Sequence, residues 1–174
     1  MRSRTLTLTF LLATSVSAWS DSALTPTVVL EKIKTFGARP TLQAIYSDKE
    51  NWERLLAGIA TGTKDWLSIA NQLVSVSDAG SSQQLGLAVG EALEHQPENV
   101  LSLTFAQFGL SQICGGPDVD NNRFNSYELS ITAITKRQAM VRSVKNESLY
   151  HLRDSCVVEL EKAKIGIAHF YGKK

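Results

Sequence analysis

Apolar residues recur every three or four positions along almost the whole chain, and no run of alternating β-branched residues interrupts them. That spacing is the period of an α-helix burying one face, so the pattern predicts an all-α fold. After Pro26, which suits a first helical turn, Val29, Leu30, Ile33 and Phe36 share a face, and Gly37 stands where a C-terminal cap belongs. Pro40 opens a short helix ending near Tyr46. Ser47-Asp48-Lys49-Glu50 then has the form of a capping box, with Ser and Glu three apart, for the helix that follows.

Two consecutive segments repeat one pattern. Trp52, Leu55, Leu56, Ile59 and Ala60 correspond to Trp66, Ile69, Ala70, Leu73 and Val74, with Thr61-Gly62-Thr63 breaking the period between them. A Trp at the head of an apolar stripe reads as a core anchor more readily than as a ligand clamp. A third copy without Trp runs Leu85, Ala88, Val89, Ala92 and Leu93, preceded by Ser77-Asp78 as an N-cap. Pro97 opens a helix carrying Val100, Leu101, Leu103 and Phe108. Tyr127, Ile131, Ile134 and Val141 mark the next. After a turn at Lys145-Asn146-Glu147, a seam of Leu149, Leu152, Cys156, Leu160, Ala163, Ile167 and Phe170 marks the last. About six to seven helices are expected, arranged as a helical bundle or as a short α-solenoid. The repeat is too brief to decide between the two.

The N-terminus changes the picture of where the chain works. Arg2 and Arg4 precede the apolar stretch Leu6–Val16, and Ala18 precedes a small-residue site. This is the pattern of a secretory signal peptide over residues 1–20, cleaved after Ala18 or Ser20, with 21–174 as a single all-helical domain. A stretch of 11 residues is too short to span a bilayer, which takes about 20. The first twenty residues hold two Arg and no acid, so 18 basic and 17 acidic residues become 16 and 17, a net charge of −1. A near-neutral domain has no electrostatic footprint for nucleic acid. The two cysteines, Cys114 and Cys156, read as one disulfide in a periplasmic or secreted protein. It would tie a loop to the middle of the last helix.

One stretch looks like a site. CGGPDVDNNRFNSYE, Cys114 to Glu128, sets Asp118, Asp120 and Asn122 at positions 1, 3 and 5 of a calcium-binding EF-hand loop. Position 6, which requires a left-handed turn, is Arg123, and position 12, which should be Glu, is Leu129. The stretch therefore reads as a capped loop, with Asn125-x-x-Glu128 as the box of the following helix. Glu91/His95 and Glu147/His151 are spaced four apart on helices, and neither has a third ligand for zinc. No nucleophile, metalloprotease or phosphate-loop signature occurs. No catalytic, cofactor or metal residue is expected, and Asp118, Asp120 and Glu128 are the one carboxylate cluster to suspect.

The run WLSIANQLVSVSDAGSSQQLGLAVGEALEHQPENVLSL, followed by ICGGP and a late Cys, resembles a family of small exported helical proteins of proteobacteria over about residues 50–160. The parts that carry the resemblance are SDAG, PENVL and the Cys-Gly-x-Pro. It implies export and an all-α fold, and transfers no catalytic residues. In size and class the chain is also similar to periplasmic immunity proteins that block cell-wall-degrading toxins. Two functions follow as expectations. The first is a non-catalytic protein-binding module, such as an inhibitor or immunity protein with an envelope or toxin partner. The second is a small cell-envelope enzyme using the carboxylates near Asp118, Asp120 and Glu128.

Overall fold

A computed structural model describes residues 24–173; the expected signal segment, residues 1–20, lies outside the described residues. Ten α-helices and no strand occur among them. The first five are α1 (Pro26–Phe36), α2 (Ala38–Tyr46), α3 (Lys49–Ala60), α4 (Lys64–Val74) and α5 (Ala79–Ala92). Three short helices follow: α6 (Pro97–Leu103), α7 (Phe105–Phe108) and α8 (Leu110–Ile113). A long pair, α9 (Tyr127–Arg142) and α10 (Tyr150–Phe170), closes the chain, joined through a 3-10 turn at Glu147–Leu149. Among the described residues no helix is long and apolar enough to cross a membrane.

The count exceeds the expected six to seven because the stretch after Pro97 is three helices and not one. Thr104 breaks it first: its hydroxyl donates to Val100 O at 2.7 Å while the residue itself is fully buried. Gly109 breaks it again with φ +74, a left-handed turn that a side chain would oppose. Cap chemistry sets other boundaries one residue from where the pattern put them. Ser47 belongs to the end of α2, its hydroxyl donating to Ala44 O, and Asp48 caps α3 by accepting from Asn51 N at 3.0 Å. Asn125 is likewise not a cap: Ser126 Oγ accepts from Leu129 N at 3.2 Å and starts α9. Ser126→Ala is therefore expected to cost about 1 kcal/mol and Asn125→Ala almost nothing, which paired urea melts would test.

Packing follows the three copies of the apolar pattern. α3, α4 and α5 carry them, and each of the three touches the other two. Both Trp anchor helices in the core, as their positions predict. Trp52 is buried edge-on to Tyr46 and donates through Nε1 to Gln84 on α5 at 2.6 Å. Trp66 on α4 lies flat against α3 where Gly58 leaves no side chain in the way. α5 also meets α8 through Gly86 and Gly90, one turn apart. A Cβ at Gly90 would stand 2.8 Å from the Ile113 carbonyl, so the close approach of α8 depends on this glycine. At the far end α9 and α10 form an antiparallel pair, with Tyr127 and Tyr171 meeting edge to face at 6.3 Å. The expected apolar faces are overextended at both chain ends, since Phe36 and Phe170 are each 64% exposed.

The disulfide joins Cys114 to Cys156 with both residues fully buried. It ties the end of α8 to the middle of α10. The segment between α8 and α9, residues 114–126, is thereby held at its first residue by a covalent bond and at its last by the Ser126 cap. Gly116, with φ +95, turns the chain close over Ala163 of α10 and Ile134 of α9. The segment then runs back across α5.

Candidate groove between α3, α5 and the 117–125 loop

A groove of about 630 Å³ lies where that loop crosses α5. α3 gives it Glu53, Leu56, Ala57 and Ala60, and α5 gives it Gln83, Gln84, Leu87, Ala88 and Glu91 among others. On each helix these positions are three, four and seven apart, so they form the stripe beside the one that builds the core. The loop supplies the third wall with Asp118, Asn121 and Arg123. Small aliphatic side chains make the floor, and three carboxylates face one guanidinium around it. That guanidinium is already engaged: Arg123 Nη1 reaches Glu91 Oε2 at 2.8 Å.

The loop wall is built from its own backbone. Asp118 Oδ1 accepts from Asp120 N at 3.1 Å, and Asn121 Oδ1 from Arg123 N at 2.9 Å, each closing a turn. Phe124 plugs the loop into the body and is buried, while its carbonyl accepts from Ser130 Oγ of α9 at 2.6 Å. Among the described residues only glycines have positive φ, so Arg123 does not adopt the left-handed turn an EF-hand demands at that position. No group of three or more His, Cys, Asp or Glu among them is poised to hold a metal ion. Added calcium is expected to leave the melting temperature unchanged. A specific site at 100 times its dissociation constant would add about 2.7 kcal/mol, and differential scanning calorimetry would register that at once.

The three suspected carboxylates are not brought into one cavity. Asp118 lines the groove and is partly buried; Asp120 and Glu128 are exposed and do not line it. The three histidines, His95, His151 and His169, are exposed, and Glu91 pairs with Arg123. Outside the groove, Asp78, Asp154 and Glu161 are held below the ordinary carboxylate range. The causes are hydrogen bonds, from Ser81 to Asp78, from Arg153 to Asp154 and from Gln138 to Glu161. That is the direction opposite to the one a general acid needs.

Behind the loop lies a residue that the pattern of the sequence did not single out. Arg137 of α9 has no exposed side-chain surface. Its Nε donates to Glu94 Oε1 at 3.1 Å, and Lys136 Nζ takes the other oxygen of the same carboxylate at 3.0 Å. Burial lowers the pKa of the Arg137 guanidinium, and Glu94 opposes that shift. The Phe124 ring sits 5.8 Å from the Arg137 guanidinium and 5.0 Å from that of Arg123, within cation–π range of both. Two acids, Glu91 on the last turn of α5 and Glu94 in the turn just after it, thus hold two arginines that arrive from the loop and from α9. No family model, curated protein or solved structure matches this chain.

Proposed function

We propose that the chain is an exported, non-catalytic protein-binding module, of the inhibitor or immunity kind, which receives a segment of an envelope or toxin partner in the α3–α5 groove. The observation that carries this reading is the lining of the groove. It combines an aliphatic floor (Leu56, Ala57, Leu87) with an acidic rim (Glu53, Glu91, Asp118) that exceeds its one cation. Charge complementarity then specifies the guest: an amphipathic segment with its apolar side down and a Lys or Arg on the rim. The disulfide supports service in an oxidising compartment. The enzyme reading rests on Asp118, Asp120 and Glu128 acting together, and of these three only Asp118 lines the groove.

Photocrosslinking in the exporting host tests the proposal. A photoreactive residue in place of Gln83, on the groove wall, is expected to trap one protein, through a segment bearing Lys or Arg. The same residue in place of Thr132, on the exposed side of α9, is expected to trap none. Ala57→Glu should abolish the crosslink while leaving the fold intact, because residue 57 is exposed. Equal labelling from both sites, or a trapped segment without basic residues, would count against the groove. Export has its own check: intact mass from the native host should lack the first 18 or 20 residues.

A further inference from the structure

The ion pair that crosses the rim of the groove is unequal. Arg123 Nη1 donates to Glu91 Oε2 at 2.8 Å, yet 67% of the arginine side chain is exposed and only 18% of the glutamate. Breaking the pair returns the guanidinium to water at little cost and leaves a mostly covered carboxylate without a cation. The acid therefore needs a cation there more than the cation needs the acid. An exchange of cations does not require the loop to move. Its backbone is fixed on both sides, because Arg123 N donates to Asn121 Oδ1 at 2.9 Å and Phe124 N to Asn121 O at 2.8 Å. With Phe124 buried as well, the freedom is confined to the Arg123 side chain.

The other two rim acids are poorer anchors. The Glu53 side chain is 64% exposed and stands 3.8 Å from Lys49, while Asp118 spends one oxygen on its own turn by accepting from Asp120 N. We propose that Glu91 anchors an arginine of the partner segment, and that Arg123 is the resident cation which this arginine displaces. The assignment rests on the groove being the docking site. The guest then replaces the resident like for like, at a carboxylate that already accepts from a guanidinium. A guanidinium is more weakly hydrated than an ammonium, so it gives up less water at a mostly covered acid, which selects Arg over Lys. Leu87 and Ala88, four and three residues before Glu91 on α5, offer the apolar surface along which the stem of the incoming side chain would lie. Arg123 thus sets a threshold: a segment that brings no guanidinium cannot take its place.

N-hexylguanidinium chloride is the probe and hexylammonium chloride its comparison, each replacing sodium chloride at constant ionic strength in ¹⁵N-labelled mature protein with the disulfide intact. In the wild type the amides of residues 56–60 and 83–91 are expected to shift saturably with the guanidinium, together with the Arg123 Nε–H, and less with the ammonium. Arg123→Ala is expected to tighten binding by about two- to fivefold, the range that a partly exposed ion pair supports. The gain should vanish in a Glu91→Gln background, where no acid remains to compete for. Equal affinities in wild type and Arg123→Ala would overturn the proposal and leave the groove to Glu53 and Asp118. So would a gain that persists with Glu91→Gln, which general charge repulsion would explain, or equal binding of the two probes. Absence of any groove shift in every form would sink the docking reading itself, and this proposal with it. If Glu91→Gln does not fold, the Arg123 Nε–H decides: groove amides that shift while it stays still count against displacement.

Discussion

Glu94→Ala is expected to be among the most damaging single substitutions in this protein, costing about 3–5 kcal/mol. The size follows from what is left behind. Among the described residues Glu94 is the one group that hydrogen-bonds the buried Arg137 guanidinium, so its removal strands a charge with no exposed surface. For a domain of this length each kcal/mol lowers the melting temperature by roughly 2–4 °C, so a fall of about 6–20 °C is expected. Removing both partners should cost far less than removing the acid alone. In Glu94→Ala/Arg137→Met the long apolar side chain keeps most of the packing and no charge remains to be satisfied. A double-mutant cycle measured by urea denaturation would report a large coupling energy. If the double variant is as unstable as Glu94→Ala, the loss comes from packing at position 94 and not from the stranded charge. Arg123→Ala, by contrast, breaks an ion pair whose cation is 67% exposed. It should change stability by less than about 1 kcal/mol.

Arg137 also shows which part of the site could be read in advance. The Lys136-Arg137-Gln138 triplet looks like a solvated stretch in a list of residue types. Yet Ile134 and Val141 are both buried, and residues 137 and 138 fall between them at helical spacing. Any helix that buries 134 and 141 must carry 137 and 138 inward as well. That was the available signal, and the structure bears it out: Gln138 is also buried and donates to Glu161 across the α9–α10 pair at 2.8 Å. Helix identity was legible for the same reason, because period survives any choice of partner. Cap positions were not, because Ser47-Asp48 and Asn125-Ser126 each place two cap-forming residues side by side. Which of the two serves depends on how the preceding residue is packed. The groove was hidden for a different reason. Its floor consists of aliphatic side chains flanking the core stripe. It becomes a groove only when a loop about 30 residues further along the chain crosses α5, held there by Phe124 and Arg123.

Loss of the Cys114–Cys156 bond should cost about 2–5 kcal/mol, and two versions of the experiment separate its causes. The bond spans 42 residues of sequence, for which the chain-entropy model gives about 4 kcal/mol from the unfolded state alone. Reduction keeps both sulfur atoms in a fully buried site, so it isolates that contribution together with whatever freedom the loop gains. Cys114→Ala/Cys156→Ala also empties space beside Leu160 and Ile113, and should be less stable than the reduced wild type by the cost of a small cavity. The loop supplies the sharper readout. Cys114 is its first fixed point, and Phe124 is the plug that covers Arg137 ten residues later. Reduction should therefore raise amide hydrogen exchange across residues 115–125 before it affects α3, α4 or α5, since local opening precedes global unfolding wherever one tether carries the order. Uniform acceleration of exchange throughout the helices on reduction would mean that the bond only constrains the unfolded chain. Confinement of the change to the loop would mean that the same bond sets the wall of the groove and the cover over Arg137.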